Sequence, residues 1–464
     1  MDITKLKKEE LIKYIDGKIA EFQLKKEEMN ESLRYYNYEQ DILMKKRWTI
    51  GEGGKMQSIE NLPNARIIDN QYKKAVDQKV NYLFSQLPSI KCEDEKYQEM
   101  VQDLYDNRFL RTLNKIALES YLCGISWLYV ANDNGELSMT KMDSTEIIPI
   151  WSDRNHESLN AIIRVYQTEE YKDGNIKMID KVALYTKDDV KIYLRDKDYT
   201  EIKEEGYLEK DGLRYSFGEI PFVYFKSNSS EMPLLRRVKS LQDAINAILS
   251  NYYDNMLEDP RNTILILKNY DGQDLGEFRQ KLAQYGAVKV STGVDGADGD
   301  VSSLKVEVNS ENYRLILDLL KEKLIENAMG FDMKSDKTSN APNELNIKSM
   351  YSDMELDANQ TALEFIASLE HLEKFLKLIK NIKDDKLIST TEFKRNLMVN
   401  DEATINMIIQ SEGLLSKKTL LSHHPFVEDV DEEIEAIERE EDEEMGDYVE
   451  DVGDDEDEEA KLLQ

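Results

Sequence analysis

Apolar side chains recur at steps of three and four residues through three segments of the chain, and this period predicts three helices. The first segment begins at Pro233, a residue suited to a first helical turn, and ends at Glu258, just before another proline. The second covers 310–330 and ends at Gly330, where we expect a left-handed cap. The third, 346–382, continues for roughly 36 residues, on the order of 54 Å of helix. Helices of this length are typical of coiled coils, repeats and multi-subunit assemblies.

The first two helices carry narrow apolar seams with a period near 3.5, a pattern that predicts lengthwise packing against neighbouring helices. The residues expected at this packing surface are Leu241, Ile245, Ile248, Tyr252, Leu320 and Leu324. Between the two helices, 259–309 predicts a small α/β insert. Its expected elements are strands at 263–267, 287–290 and 304–308 and a short helix at 273–285.

The first 232 residues predict an α+β region. Helical periods cover 1–45, 64–88 and 95–123, and a loop with several glycines connects the first two. After Gly124 the period changes to two, with β-branched and aromatic residues between Asp, Asn, Lys and Gly turns, which is typical of antiparallel sheet. The predicted strands are 125–131, 136–142, 147–151, 159–168, 176–185, 190–195, 199–207 and 218–226.

The C-terminal part combines short helices with an acidic tail. Within 383–427 we expect helices at 391–398, 401–411 and 416–421. Residues 428–459 hold 21 acidic residues and one arginine, a net charge of −20, so we predict that the tail 428–464 is disordered. The rest of the chain still carries a net charge of −12 out of the total of −32, which argues against a protein that binds nucleic-acid phosphates tightly. DNA could still pass such a protein without binding to it.

Composition limits the remaining possibilities. No window is typical of a signal peptide, and no run approaches the ~18 apolar residues of a membrane span, so we expect a soluble protein that is not secreted. Two cysteines, Cys92 and Cys123, fit a reducing compartment and are expected to be core residues. There is no Walker loop, HExxH motif or Ser-His-Asp signature, and the histidines do not cluster. We therefore expect no enzyme activity, no cofactor and no metal.

Several segments, in this order and spacing, resemble the phage portal proteins of the SPP1 type. They are YYNYEQDIL at 35–43, IIDN at 67–70, KVNYLF at 79–84, GISWLYV at 124–130, IIPIW at 147–151, GEIPF at 218–222 and VKSLQDA at 238–244. The resemblance extends from about residue 30 to 425. It implies an α+β portal fold with a wing, a two-helix stem, a small α/β clip, a long helix and a helical crown.

The resemblance assigns each segment a part of that fold. The parts are the wing at 1–232, stem helices at 233–258 and 310–330, the clip at 259–309, a tunnel loop at 331–345, the long wing helix at 346–382, the crown at 383–427 and the acidic tail at 428–464. It implies a dodecameric ring at one capsid vertex, assembled in the host cytoplasm, through which double-stranded DNA is packaged and ejected. Implied partners are the terminase large subunit, a head-completion adaptor and the major capsid and scaffold proteins, with no membrane.

On this reading two groups of polar residues face the DNA channel. The tunnel-loop group is Lys334, Ser335, Lys337, Thr338 and Asn340, and the stem group is Lys321 and Lys323. The alternative for the lysines is ordinary solvated surface. An alternative for the whole chain is a non-portal ring or coiled-coil connector that never meets DNA, which would not need the loop 331–345. A weaker alternative is an enzyme built on 1–232, which would not need the long helix.

Overall fold

The structure is a computed structural model that describes most of residues 3–440. Outside the description lie 1–2, 51–54, 59–61, 134, 173, 197–198, 203–208, 211–212, 215, 259–263, 269–299, 305–309, 332–343, 385–386, 396–400, 428–429, 431 and 441–464. The chain divides into two compact units, Met1–Asp332 with Asp353–Arg395, and Met333–Ser352 with Asn396–Gln464. Both helices and antiparallel sheets are present, so the predicted α+β class is confirmed.

Four helices dominate the N-terminal part of the first unit. They are α1 (Lys8–Tyr36), α2 (Gln71–Phe84), α3 (Glu95–Leu104) and α4 (Asn107–Cys123). The single helix predicted over 95–123 is therefore wrong. Tyr105 leaves helical geometry, and the Asp106 side chain accepts a hydrogen bond from Phe109 N, which starts a new helix.

Two short antiparallel pairs lie where the pattern suggested other structure. The loop expected after Trp48 contains β1 (Trp48–Ile50) paired with β2 (Met56–Ser58). The helix expected at 391–398 is wrong for its described part, 391–395, because β16 (Thr390–Glu392) pairs with β3 (Ser89–Lys91).

Two larger antiparallel sheets follow α4. Their strands are β4 (Ile125–Asp133), β5 (Glu136–Met142), β6 (Ile147–Trp151), β7 (Leu159–Lys172), β8 (Asn175–Tyr185), β9 (Val190–Leu194), β10 (Thr200–Ile202) and β13 (Phe222–Lys226). The three-stranded sheet has the order β13-β4-β5, and the five-stranded sheet the order β10-β9-β8-β7-β6. A small pair, β11 (Glu209–Lys210) with β12 (Leu213–Arg214), precedes the last strand. The antiparallel sheet predicted after Gly124 is present.

The core of the first unit includes two contacts between helix and sheet that are rich in apolar side chains. Leu11 and Ile15 of α1 are buried in one cluster with Ile163, Val182 and Leu184 of the five-stranded sheet. The second contact brings together α2, β13 and the long helix, where the rings of Phe84 and Phe225 lie 4.6 and 5.1 Å from that of Phe365.

The three central helices occur where the apolar period predicted them. They are α5 (Leu235–Glu258), α6 (Ser310–Asn327) and α7 (Glu344–Lys380), the last with 37 residues. In the predicted insert, β14 (Ile264–Lys268) pairs with β15 (Asp300–Leu304). The strand predicted at 304–308 therefore begins four residues earlier than expected. The predicted helix 273–285 and strand 287–290 lie outside the described residues.

The second unit contains α8 (Asp401–Ser411) and α9 (Lys417–Ser422), at the residues where two short helices were expected. Residues 432–440 are also helical, so the prediction of disorder for 428–464 fails for that stretch. Among the helices in the described part of the chain, none is both long and apolar enough to cross a bilayer.

Candidate functional site: the paired helices and their anchors

Helices α5 and α6 pack against each other and form the candidate stem. Tyr252 and Tyr313 face each other with ring centroids 4.8 Å apart, and Asn255 Nδ2 donates a hydrogen bond to the Tyr313 hydroxyl at 3.1 Å. Of the six predicted packing residues, Ile245 and Leu324 are completely buried. The other four, Leu241, Ile248, Tyr252 and Leu320, are half-buried in the isolated chain.

A second face of α5 is buried although it is polar, a feature that the sequence analysis missed. Gln242, Asn246, Ser250 and Asp254 recur at four-residue steps, and none is more than 2% exposed. We call these four residues the polar ladder. Their side-chain oxygens accept hydrogen bonds from the backbone N–H groups of Tyr72, Asp69, Ile67 and Ala65 at 3.0, 3.0, 2.9 and 2.7 Å respectively.

The geometry of helix and extended chain explains the spacing of the polar ladder. Four residues of α-helix rise about 6 Å, and two residues of extended chain about 6.6 Å. The segment 65–69 runs in the opposite direction to α5, and every second N–H group points at the helix. The helix therefore satisfies these donors as a neighbouring strand would. A regular four-residue repeat of short polar side chains was the available signal in the sequence.

Ion pairs reinforce both ends of the polar ladder. Lys45 Nζ lies 2.8 Å from Asp254 Oδ2 at one end. Near the other end, Lys239 Nζ lies 2.8 Å from Asp41 Oδ2, and Arg34 also contacts this carboxylate. Burial alone would raise the pKa of Asp41, but the hydrogen bonds from Lys239 and Arg34 lower it to about 2. The segment between α1 and α2 is thus bound to α5 by charge as well as by hydrogen bonds.

The two stem lysines predicted at the channel face both have carboxylate partners. Lys321 Nζ lies 2.8 Å from Asp69 Oδ2, so it ties α6 to the same extended segment that α5 binds. Lys323 is exposed and lies 2.8 Å from Glu326 on its own helix. The predicted tunnel-loop residues Lys334, Ser335, Lys337, Thr338 and Asn340 lie outside the described residues.

An apolar strip on α6 has no cover in the described part of the chain. Leu315, Ile316 and Leu319 are 61%, 47% and 52% exposed. Near the end of α5, Tyr253, Met256 and Leu257 are exposed to a similar degree. Clusters of exposed apolar side chains are typical of surfaces that bind another molecule.

The end of α6 has a cap that differs from the prediction. Met329, not Gly330, takes the left-handed conformation, with φ +52°. Met329 N donates to Glu326 O and Gly330 N donates to Ile325 O, each at 2.9 Å, which is the hydrogen-bond pattern of a Schellman cap. A side chain in this conformation costs about 1 kcal/mol or more, so neighbouring contacts must hold Met329 there.

Helix α2 supplies those contacts. Lys79 Nζ donates to Met329 O at 3.1 Å, and Gln78 Nε2 donates to Phe331 O, also at 3.1 Å. The same ammonium group lies 2.7 Å from Asp357 Oδ2 in α7, and its side chain is only 1% exposed. Burial lowers the pKa of Lys79, although the neighbouring Asp357 carboxylate opposes this effect.

The first unit also has a cleft of about 950 Å³, beside Glu231 and His156. Glu231 Oε1 lies 2.7 Å from His156 Nδ1 and 3.2 Å from Lys226 Nζ, and Glu231 Oε2 lies 2.6 Å from Lys25 Nζ. Burial would raise the pKa of Glu231, but Lys25 and His156 lower it below its usual value. The Glu231 carboxylate is thus paired with these three side chains. Within the described residues, no three His, Cys, Asp or Glu side chains form a group that could bind a metal ion.

The chain is similar to known proteins over nearly its whole length. The family model for "Phage portal protein, SPP1 Gp6-like" matches residues 15–447. A portal protein of Clostridium phage phiCD119 is 28% identical over 419 residues, which cover 88% of this chain and 91% of the relative. A portal protein of Bacillus phage SPP1 is 26% identical over 440 residues, which cover 91% of this chain and 85% of the relative.

Proposed function

Because the chain belongs to the SPP1 Gp6-like family of phage portal proteins, a structural component of the phage head, we propose that it forms a dodecameric ring around a DNA channel at one capsid vertex. The family match confirms the resemblance found in the sequence. The proposal adds the stem, clip and channel assignments to this family membership. It also adds passage of double-stranded DNA during packaging and ejection.

The exposed apolar strip on α6 is the observation that carries the ring proposal. Leu315 and Leu319 are one helical turn apart, so they lie on one side of α6 and Ile316 lies next to them. Burial of a leucine or isoleucine side chain contributes about 1.5–3 kcal/mol. In a ring, the stem of the adjacent subunit would cover this strip in every copy, and the same contact would repeat until the ring closes.

Charge supports passage of DNA without retention. The chain carries a net charge of −32, and tight phosphate binding needs an excess of cations. In the described part of α6, the cations of Lys321 and Lys323 are already paired with Asp69 and Glu326. We therefore assign the DNA contacts of the channel to the tunnel-loop cations Lys334 and Lys337, rather than to the two stem lysines.

The remaining partners are assigned by position in the fold. We propose that the clip at 259–309 binds the terminase large subunit during packaging and a head-completion adaptor afterwards. The wing at 1–232 would contact major capsid and scaffold proteins while the head assembles in the host cytoplasm. A clip formed by one small insert per subunit would present a ring of equivalent docking sites.

Electron microscopy of the purified protein, combined with its mass in solution, tests the ring. We expect rings with a central hole and a mass that matches a dodecamer of 54.0 kDa subunits. Leu319→Glu should weaken each subunit contact by roughly tenfold or more, because it places a charge in a surface that contributes over 1 kcal/mol.

Leu24→Glu is the matched control, since Leu24 is 75% exposed on α1. Rings should persist in this variant. A protein that stays monomeric with capsid and scaffold proteins present would refute the portal ring. Rings that form normally but support no DNA packaging would instead favour the connector alternative.

A further inference from the structure

Lys79 joins two parts of the chain that are far apart in sequence. Its ammonium group bonds the carbonyl oxygen of Met329, at the end of α6, and the Asp357 carboxylate in α7. Both contacts are made in a buried site, where an unsatisfied charge is costly. The position of one lysine on α2 therefore depends on α6 and α7 at the same time.

The start of α5 reaches the same carboxylate. Arg237 Nη1 lies 3.4 Å from Asp357 Oδ1, the oxygen that Lys79 does not contact, and 3.8 Å from Met329 Sδ. Asp357 thus receives one cation from α2 and one from α5. The Tyr121 hydroxyl, 3.0 Å from Thr361 Oγ1, closes the site on the side of α4.

Stability alone does not account for this arrangement. Apolar side chains of similar volume often stabilise a buried site as well as an ion pair does, whereas any arrangement that leaves one of the two buried charges unpaired is strongly destabilised. A slip of α6 by one residue would move the Met329 carbonyl about 1.5 Å along the helix axis and rotate it by about 100°. Lys79 would then lose this acceptor. The carbonyl of Phe331, bound by Gln78, would lose its donor in the same step.

We propose that Lys79 is a positioning residue that sets the register of α6 against α7, and so fixes the point at which the chain leaves the second stem helix. The functional consequence rests on the proposed portal role. In a ring, every subunit must place the end of α6 at the same position along the ring axis. The left-handed conformation of Met329 is the local sign of this constraint.

Hydrogen exchange of the purified full-length protein tests the register directly. Lys79→Met should speed exchange of the Met329 and Gly330 amides by ~10-fold or more, because both belong to the cap that Lys79 holds. The amides of Ala65, Ile67 and Asp69, which donate hydrogen bonds to the polar ladder, should keep their rates. Lys74→Met, on the exposed side of the same helix, is the matched control and should change neither region.

The double variant Lys79→Met with Asp357→Leu separates positioning from stability. It replaces the buried pair by apolar side chains and leaves Arg237, which is 28% exposed, within reach of water. We expect it to melt within a few °C of the unmodified protein and to form rings. Exchange at Met329 and Gly330 should stay fast, and phage that carry it should package less DNA per particle.

The positioning role is wrong if the double variant protects Met329 and Gly330, and packages DNA, as well as the unmodified protein does. If the unmodified protein forms no rings even with capsid and scaffold proteins present, the proposed portal function fails, while the exchange result still decides whether Lys79 sets the register.

Discussion

Gly124 allows a sharp test of how the sheets are joined to the stem, because the chain leaves no room for a side chain there. This residue follows α4 with φ +82°, and a Cβ atom placed on it would lie 2.2 Å from the carbonyl oxygen of Glu231 and 2.8 Å from Met232 N. Ordinary contacts between carbon and oxygen are ~3.3 Å or longer, so Gly124→Ala must move the 231–232 backbone by about 1 Å.

That backbone resists movement. Glu231 has φ +51° and ion pairs with Lys25 and Lys226, and Asn228 Oδ1 accepts a hydrogen bond from Met232 N at 3.0 Å. Alanine in a left-handed conformation costs about 1–2 kcal/mol, and overpacking in a rigid site about 1–3 kcal/mol more. The sum is roughly 2–5 kcal/mol, and at ~1–2 °C per kcal/mol for a unit of this size it should lower Tm by about 5 °C.

Thermal unfolding monitored by circular dichroism measures this loss, and two other glycines separate its causes. Gly135 has φ +91° and open space around the position of a Cβ atom. Gly135→Ala should therefore cost only the free energy of the left-handed conformation, about 1–2 kcal/mol. Gly17→Ala lies on the exposed side of α1 with no atom near its Cβ, and it should stabilise by about 1 kcal/mol. If Gly124→Ala and Gly135→Ala melt at the same temperature, the close approach to Glu231 does not limit this site.

Two further predictions concern buried acids. Asp254→Ala should destabilise by about 3–5 kcal/mol in urea unfolding, because it leaves Ala65 N without its acceptor and Lys45 without its carboxylate partner. Asn251→Ala, on the exposed side of α5, should cost under ~1 kcal/mol. Equal midpoints for these two variants would contradict the role of the polar ladder. Glu373 is buried beside Tyr97, and this burial raises the pKa of its carboxyl group. The stability that Glu373 contributes is therefore present below its pKa in the unfolded chain and is lost as pH rises through its pKa in the folded protein. Glu373→Gln should therefore raise Tm by roughly 1–3 °C at pH 7 and by nothing near pH 4, and a benefit that is the same at both values would refute this explanation.

The sequence predicted the central helices well because their signal is local. The apolar period and Pro233 place the first stem helix at 233–258, and the structure has Leu235–Glu258. The long helix, predicted at 346–382, is Glu344–Lys380. Each apolar residue in such a pattern needs only its neighbours three and four positions away, so the prediction does not depend on distant parts of the chain.

Predictions failed where distant residues determine the conformation. Residues 390–392 form a strand because Ser89–Lys91, about 300 positions earlier, offers a pairing edge. The polar ladder was missed for the same reason, since its partners at 65–72 lie about 170–190 residues away. We predicted the left-handed residue at Gly330 from residue type alone. Contacts from α2 hold Met329 in that conformation instead. The clip and tunnel-loop assignments remain predictions.

The polar ladder has a consequence for which insertions and deletions the first stem helix tolerates. Its four side chains share one face only because they are spaced by four residues, and each residue turns the helix by about 100°. One deletion between Asn246 and Ser250 would leave both flanking sequences helical but would turn Ser250 and Asp254 away from Ile67 and Ala65. Length changes should therefore accumulate in the loops around α5, while within it the phase of the polar residues is as restrictive as the register of a strand.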